Sequence, residues 1–290
     1  MARLLSLSTR NIAVDETLIR IALEVIMSPQ TTPEKPDTNH NEAIRLEFEK
    51  QAASFSNPRF TYRLDWMIAA LAPQLDDVVL DVATGTGHIG RALAAKARYV
   101  VAMDLTPEML RRGKAEAEAA NIRNILFEIG DAAHLPYLDA SFDLVTTRFS
   151  VHHFEDPLLQ LAEMARVCRS DGRIGIIDMV TLPDPLAAQE HNRLERLRDR
   201  THTRAFALEE LGTLLAQLGV RVIKQTTQDV TLALDPWLAS AETPPSLCEQ
   251  VRAALQADLD GGPSTGMRPF LRNGELWFKH IWAVIVGQRP

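Results

Sequence analysis

Three glycines, Gly85, Gly87 and Gly90, stand at G-x-G-x-x-G spacing in 79-VLDVATGTGHIGRAL-93, between an apolar run and a helical pattern. A loop of this kind lets backbone N–H groups approach a nucleotide-like ligand where a helix begins. In dinucleotide enzymes that ligand is a pyrophosphate, which an aspartate closing the preceding strand would repel. Asp81 stands in that place, so its carboxylate suits a cationic group instead. Asp104 lies 19 positions after Gly85, at the end of a second apolar run, where an acid can accept from ribose hydroxyls. Asp131 follows a third run, 125-ILFEI-129, and is placed to accept from an adenine amine. A nicotinamide enzyme would explain the glycines and Asp104 but would leave Asp81 and Asp131 without a task. A cationic nucleoside such as S-adenosylmethionine, with its ammonium and sulfonium, uses all three acids.

Histidines supply the other candidate chemistry. The segment 148-RFSVHHFED-156 puts His152 and His153 just beyond a fourth β run, at the carboxyl edge where α/β sheets bind ligands. An imidazole can remove a proton from a hydroxyl or carbon acid near neutral pH; the plainer reading is that one ring packs and the other caps. A second polar cluster, 191-HNRLERLRDRTHTRAFALEEL-211, contains His202 and Arg204 in a connection between two helical patterns. Its Arg193, Arg196, Arg200, Glu195 and Asp199 read as a solvated helix face with opposite charges on neighbouring turns. Asp178, inside a fifth β run, would be costly if buried unpaired, and is expected either to face the acceptor or to accept hydrogen bonds from a cap. The two cysteines, Cys168 and Cys248, have no C-x-x-C or histidine neighbour at metal spacing, so neither a disulfide framework nor a metal site is expected.

The elements that must position these residues alternate along the chain. After helical patterns at 42–56 and 61–72, β runs at 77–83, 98–104, 125–129, 142–148 and 173–180 alternate with helical patterns at 107–120 and 157–168. That rhythm predicts a parallel, doubly wound sheet. Beyond Val180 it loosens into helices at 184–200 and 207–218, a strand near 220–226, a proline-containing stretch to about 275 and a last strand at 279–287. With 290 residues, 46% hydrophobic and 24% charged, the chain can bury a sizeable core. Its net charge of −7, with scattered basic residues, argues against nucleic acid as a partner. No apolar run reaches the ~20 residues of a membrane span, and a cytoplasmic location is expected. Residues 1–40 read as an N-terminal extension, with a short amphipathic helix within 1–27 and a linker after it. Either it is mobile or it docks on a partner, a second copy of the chain included.

Residues of about 42–180 resemble the class I S-adenosylmethionine-dependent methyltransferases, close to the ubiquinone/menaquinone C-methyltransferase group. VLDVATGTG, VVAMDLTPEML, GDAAHLPYLDASFDLV and ARVCRSDGRIGIIDMV resemble four successive family motifs in order and spacing. The resemblance implies an α/β, doubly wound Rossmann-like fold over 41–290, with a seven-stranded sheet whose last strand is antiparallel. It also implies a helical cap built from elements at about 42–72, 182–206 and 228–277. S-Adenosylmethionine is the implied cofactor, with Asp81, Ala83, Gly85 and Gly87 at its methionine end and Thr84 beside them. Asp104 falls at the ribose with Leu105 next to it, Met109 on an adenine face, Asp131 and Ala132 at the adenine edge, and Arg148 after the fourth strand. His152, His153 and His202 are the candidate catalytic residues. One departure is 170-SDGRI-174, where the family has a Pro-Gly-Gly turn; Asp-Gly also suits a turn. Some of Phe48, Phe55, Phe60, Tyr62 and Trp66 are expected to face an apolar acceptor, whereas Trp277, Phe278 and Trp282 are expected in the core and sheet. The implied reaction is O- or C-methylation of a small, partly apolar molecule; the alternative is a protein that binds the cofactor without methylating.

Overall fold

Strand β1, Val78–Val82, shows why the sheet forms as it does. Val79 packs with Met67, Leu71, Ile89 and Leu93 on one face, while Leu80 and Val82 pack with Leu161, Met164 and Leu211 on the other. A strand buried on both sides reads as a continuous apolar run, as parallel strands do. Asp81 is in phase with Val79 and interrupts that run.

In the computed structural model the described residues are 38–51 and 62–290. The expected helix within 1–27, most of the linker, and Phe55 and Phe60 lie outside them. After helices α1 (Thr38–Gln51) and α2 (Leu64–Leu71), the strands and helices alternate as β1, α3 (His88–Ala94), β2 (Tyr99–Asp104), α4 (Pro107–Ala119), β3 (Ile125–Ile129) and β4 (Phe142–Arg148). A 3-10 turn, Val151–His153, leads to α5 (Pro157–Val167) and β5 (Cys168–Thr181). Then come α6 (Pro185–Arg198), β6 (Phe206–Ala207), α7 (Leu208–Gln217), β7 (Arg221–Ala233), α8 (Leu234–Ala239), α9 (Pro245–Leu259), β8 (Phe270–Arg272) and β9 (Glu275–Gln288). The sheet order is β3-β2-β1-β4-β5-β9-β7. Strands β1 to β5 are parallel, and the last strand, β9, runs antiparallel between β5 and β7, as expected. The doubly wound core is therefore the anticipated one, with two short strands, β6 beside β5 and β8 beside β9, added to its seven. Among the described residues no helix is long and apolar enough to cross a membrane.

The loosened rhythm after Val180 conceals more order than the sequence displays. Strands β7 and β9 pair from Arg221↔Gln288 to Ala233↔Trp277, well past the runs that apolar residues mark. Polar residues such as Gln225, Thr226, Thr227 and Gln228 line this stretch of β7, so the apolar alternation that identifies a strand is weak there. The proline-containing stretch holds two helices, because Pro245 opens α9 at the helix start, where a missing N–H costs nothing. A third apolar cluster, with Leu194, Trp237, Leu238, Val251 and Phe278, joins α6, α8 and α9 to the outer part of β9. The Asp-Gly turn forms inside β5, with Asp171 at φ 60 and Gly172 so close to Arg169 that a Cβ would lie 2.7 Å from its carbonyl oxygen. Cys168 opens β5 rather than closing α5; it is buried, and burial pushes its thiol up to about 12.

The glycine loop is held from behind by a close helix approach. A Cβ on Gly113 in α4 would lie 2.6 Å from the backbone oxygen of Thr86 and 2.6 Å from the Phe127 ring. Replacing a helical glycine by alanine ordinarily gains up to about 1 kcal/mol. Here the backbone must move, so Gly113→Ala is expected to lower stability in urea by about 1–3 kcal/mol; a stabilised variant would show that α4 does not brace the loop.

Candidate active site

The carboxyl ends of β1, β2 and β4 meet at Asp81. Its Oδ2 accepts from the Thr84 hydroxyl in the loop and from Gly90 N (3.0 Å) in α3. A Cβ on Gly90 would stand 3.2 Å from that same oxygen, so the third glycine of the pattern serves the carboxylate rather than the ligand. Oδ1 is buried without a hydrogen-bond partner among the described residues, in a side chain that borders the cavity. Burial pushes the Asp81 carboxyl up to about 7, against the pull of Thr84, Gly90 and the nearby Arg148. Arg148, the last residue of β4, is itself pushed down to about 10 by burial, which Asp81 and Asp178 oppose. Its guanidinium lies 4.6 Å from the Phe149 ring centroid. Ala83 and Phe149, the residues that follow β1 and β4, both take left-handed φ values of 53° and 51°. Side-chain residues held there carry strain of the kind that collects at functional sites.

The next two acids close the same edge. Asp104 Oδ2 accepts from Gly85 N (2.7 Å) and Oδ1 from Thr106 N (2.8 Å). Burial raises its pKa in spite of these bonds and of further ones from the Thr106 hydroxyl and Leu105 N. Gly85 has φ 58, and among the described residues nothing stands within 4 Å of where its Cβ would be. Gly87 has φ 78 and abuts Phe127, with 2.8 Å between a built Cβ and the ring, which makes it a packing and turn position. Asp131 Oδ1 accepts from Ala133 N (2.9 Å), and its Oδ2 accepts from Asn41 Nδ2 (3.0 Å) across in α1.

The histidines divide clearly. His152 Nδ1 lies 2.6 Å from Asp178 Oδ1, both groups being buried. With the carboxylate accepting, Nδ1 carries the proton and Nε2 is the basic nitrogen. Burial opposes the imidazolium, but Asp178 outweighs it and raises the His152 pKa. Asp178 therefore accepts from His152 and from Met179 N (2.7 Å), rather than facing the acceptor or bonding to the cap. His153 donates Nδ1 to Thr201 O (3.0 Å), packs edge-on against Phe48, and is pushed down to about 4 by burial and its neighbour His152. His202 donates Nε2 to Asn192 Oδ1 (2.8 Å), 5.4 Å from the His152 ring, and burial pushes it down to about 2. Arg204 pairs with Glu210 at the surface. The connection after α6 does hold the site: Thr203 N and Arg204 N both donate to His152 O. From the other side, His40 Nε2 donates to His153 O (2.9 Å).

One cavity of about 870 Å³ joins these groups, within the range of small-molecule sites. Asp81, Ala83, Thr84, Gly85, Asp104, Leu105, Met109, Asp131, Ala132, Arg148, His152 and His153 border it; Gly87 and His202 do not. Its other side is lined by Phe149, Met179, Val230, Leu232, Trp237, Trp277 and Trp282. Phe278 and Trp282 pack in the core as expected, Trp282 also bordering the cavity and lying edge-on to Phe149 (4.7 Å), whereas Trp277 is only half-buried and borders the cavity. Asn41, Trp237 and His280 carry no motif or spacing signal, since the backbone brings them in from distant segments. Glu195 is buried rather than solvated because the inner face of α6 turns toward β9, and Asp199, just past the helix, is buried where it accepts from Thr201 N and Oγ1. The unpartnered Asp81 oxygen, the open space over Gly85 and the paired acids beyond it fit a ligand that carries a cation and a nucleoside.

The comparisons agree with that chemistry. Residues 79–172 match the family model described as a methyltransferase domain. Over 214 residues the chain is 30% identical to the uncharacterised methyltransferase YcgJ of Bacillus subtilis, covering 73% of this chain and 84% of that protein. The YcgJ crystal structure superposes with a TM-score of 0.71 at 26% identity, over 79% of this chain and 99% of its own. A ubiquinone/menaquinone biosynthesis C-methyltransferase of Roseobacter denitrificans is 38% identical over 125 residues, 42% of this chain and 48% of that protein. The 27-O-demethylrifamycin SV methyltransferase of Amycolatopsis mediterranei is 28% identical over 201 residues, 68% and 73% of the two chains. The chain belongs to the class I S-adenosylmethionine-dependent methyltransferases.

Proposed function

We propose that the chain methylates an oxygen or carbon of a small, partly apolar acceptor, and that His152, oriented by Asp178, takes the acceptor's proton. The observation that carries this reading is the buried His152–Asp178 pair on the wall of a cavity with acids on one side and tryptophans on the other. Bound S-adenosylmethionine supplies a methyl group on a positively charged sulfur. Asp81 with Ala83, Thr84 and Gly85 holds the methionine end, Asp104 and Leu105 the ribose, and Met109, Asp131 and Ala132 the adenine. Gly87 keeps the loop in shape behind them. Arg148 stands between the Asp81 and Asp178 carboxylates and moderates both. Helix α1 and the cap formed by α6, α8 and α9 keep water out, which favours a charge-dispersing transfer. The apolar wall of Val230, Leu232, Trp237, Trp277 and Trp282 receives the acceptor. Two relatives support this choice: by name, one acts on a carbon in quinone biosynthesis and another on a rifamycin oxygen. The direct test is incubation of the purified chain and S-adenosylmethionine with a metabolite extract. A product heavier by one methylene supports the reading, and cofactor that never turns over favours a non-methylating protein.

The proton-taking role has its own signature. A base works only once deprotonated, and Asp178 raises the His152 pKa above 6.5, so the base form accumulates as pH rises through a midpoint above that value. His152→Gln is expected to lower turnover about 10²–10⁴-fold while leaving cofactor affinity nearly unchanged. In Asp178→Asn the charge that holds the pKa up is lost and burial dominates, so the NMR titration of the His152 ring should move below 6.5. A titration that stays in place would show that the carboxylate does not set it.

Asp81 should trade stability for binding. Its folded pKa of about 7 exceeds the ordinary 3.8. Between those values the folded chain keeps a proton that the unfolded chain has released, so this group's contribution to stability falls as pH rises through that window. Asp81→Asn is expected to stabilise the ligand-free chain at pH 8 by on the order of 1–4 kcal/mol and to weaken S-adenosylmethionine binding in calorimetry. Unchanged melting and unchanged affinity together would refute both roles.

A further inference from the structure

Away from the residues assigned above, the inner face of α6 meets β9 in a cluster that methyl transfer leaves without a task. His191 and Glu195, one helical turn apart, and His280 of β9 are all buried, with Glu195 fully so. Glu195 Oε1 lies 3.0 Å from His280 Nε2 and 3.7 Å from His191 Nε2. Neither contact has hydrogen-bond geometry, the first failing in angle and the second in distance. Both nitrogens of His191, both oxygens of Glu195 and Nε2 of His280 have no hydrogen-bond partner among the described residues. Buried polar atoms are nearly always paired, and an isolated group of unpaired ones calls for a bound ion or water. Arg198 compensates Glu195 only in part: its Nη1 stands 3.7 Å from Oε2, while its other nitrogens donate to Trp237 O and Ser240 Oγ.

We propose that His191, Glu195 and His280 form a binding site for a divalent transition-metal ion of the zinc class. One ligand atom from each residue lies within 4.8 Å of the other two. Around a zinc ion, N and O ligands at about 2.1 Å stand roughly 3.0–3.6 Å from each other, which the two measured separations match to within a small adjustment. Two imidazoles and one carboxylate are a donor set that zinc uses with a fourth position left open, and imidazole disfavours magnesium or calcium. Trp237 and Phe278 pack edge-on against the His280 ring, with centroids 5.9 and 5.0 Å away. His280 also borders the large cavity, which supplies a route for the ion and an oxygen ligand for the fourth position.

The proposal stands apart from the methyl-transfer reading, because its readout is metal bound rather than product formed. The untagged chain, stripped with a chelator and dialysed, would be titrated with Zn(II) against a chromophoric chelator, and separately with Co(II) under visible absorption. One equivalent of each should bind, with the intense Co(II) bands of a four-coordinate site and a rise in melting temperature. His280→Gln and Glu195→Gln should each lower Zn(II) affinity by at least about 100-fold, while His152→Gln, which alters the other buried histidine–carboxylate pair, should not. Failure of the folded parent to take up an equivalent of Zn(II) or Co(II) overturns the proposal without reference to any variant. Equal uptake by His280→Gln overturns it as well, since the ion would then sit elsewhere.

Discussion

The two oxygens of Asp81 do different work, and the rest of the site is arranged around that division. Oδ2 is taken up by the fold, accepting from Thr84 and Gly90 to fix the loop between β1 and α3. Oδ1 is left buried and, among the described residues, unpartnered, in a side chain that borders the cavity. A buried carboxylate without a cation is unfavourable, and burial accordingly pushes its pKa up to about 7. Arg148 offsets the cost only partly, since it is shared with Asp178. A cationic cofactor completes the pair, so the protein is best satisfied with its ligand in place. The close helix packing at Gly90 and Gly113 is what allows the loop to hold this geometry.

The second half of the site depends on the first through the short path along β4. Arg148 and Phe149 end the strand, and the 3-10 turn that follows carries His152 to Asp178 on the neighbouring β5. That turn is pinned from both sides of the cavity. His40 in α1 donates to His153 O, and Thr203 and Arg204 after α6 donate to His152 O. The cap is therefore more than a lid: its backbone sets where the histidines stand. The same elements deliver the apolar wall, since the long β7–β9 pair runs out of the sheet and brings Val230, Leu232, Trp277 and Trp282 to the cavity.

What is legible in the sequence follows from how local each signal is. β1 to β5 and the glycine loop are written in contiguous runs, so the strand-end positions of Asp81, Asp104 and Asp131 can be read from those runs alone. The parallel sheet follows from the same rhythm, and its reversed last strand from the family resemblance. The histidine pair is found by position, but its partner is not: Asp178 lies 26 positions away, and only strand pairing puts it against His152. Glu195 looks solvated because charges at helical spacing usually are, and nothing local reveals which face of α6 turns inward. Trp277 lies before the run that marks the last strand, and polar β7 gives no alternation to pair it with, so its place at the cavity is hidden. The hidden residues are thus those whose neighbours are set by the cap, where periodicity is weakest.

The most direct test of the Asp81 account counts protons. If the bound cofactor supplies the cation that Oδ1 lacks, the Asp81 pKa must fall from about 7 on binding, and the proton it holds at pH 6 must leave. Calorimetry of S-adenosylmethionine binding at pH 6, in buffers of different ionisation enthalpy, reads that number. The account predicts release of most of one proton by the parent chain and none by Asp81→Asn. Binding by the parent with no proton released would mean that Asp81 is already ionised without a ligand, or stays protonated beside it, and either outcome contradicts the account.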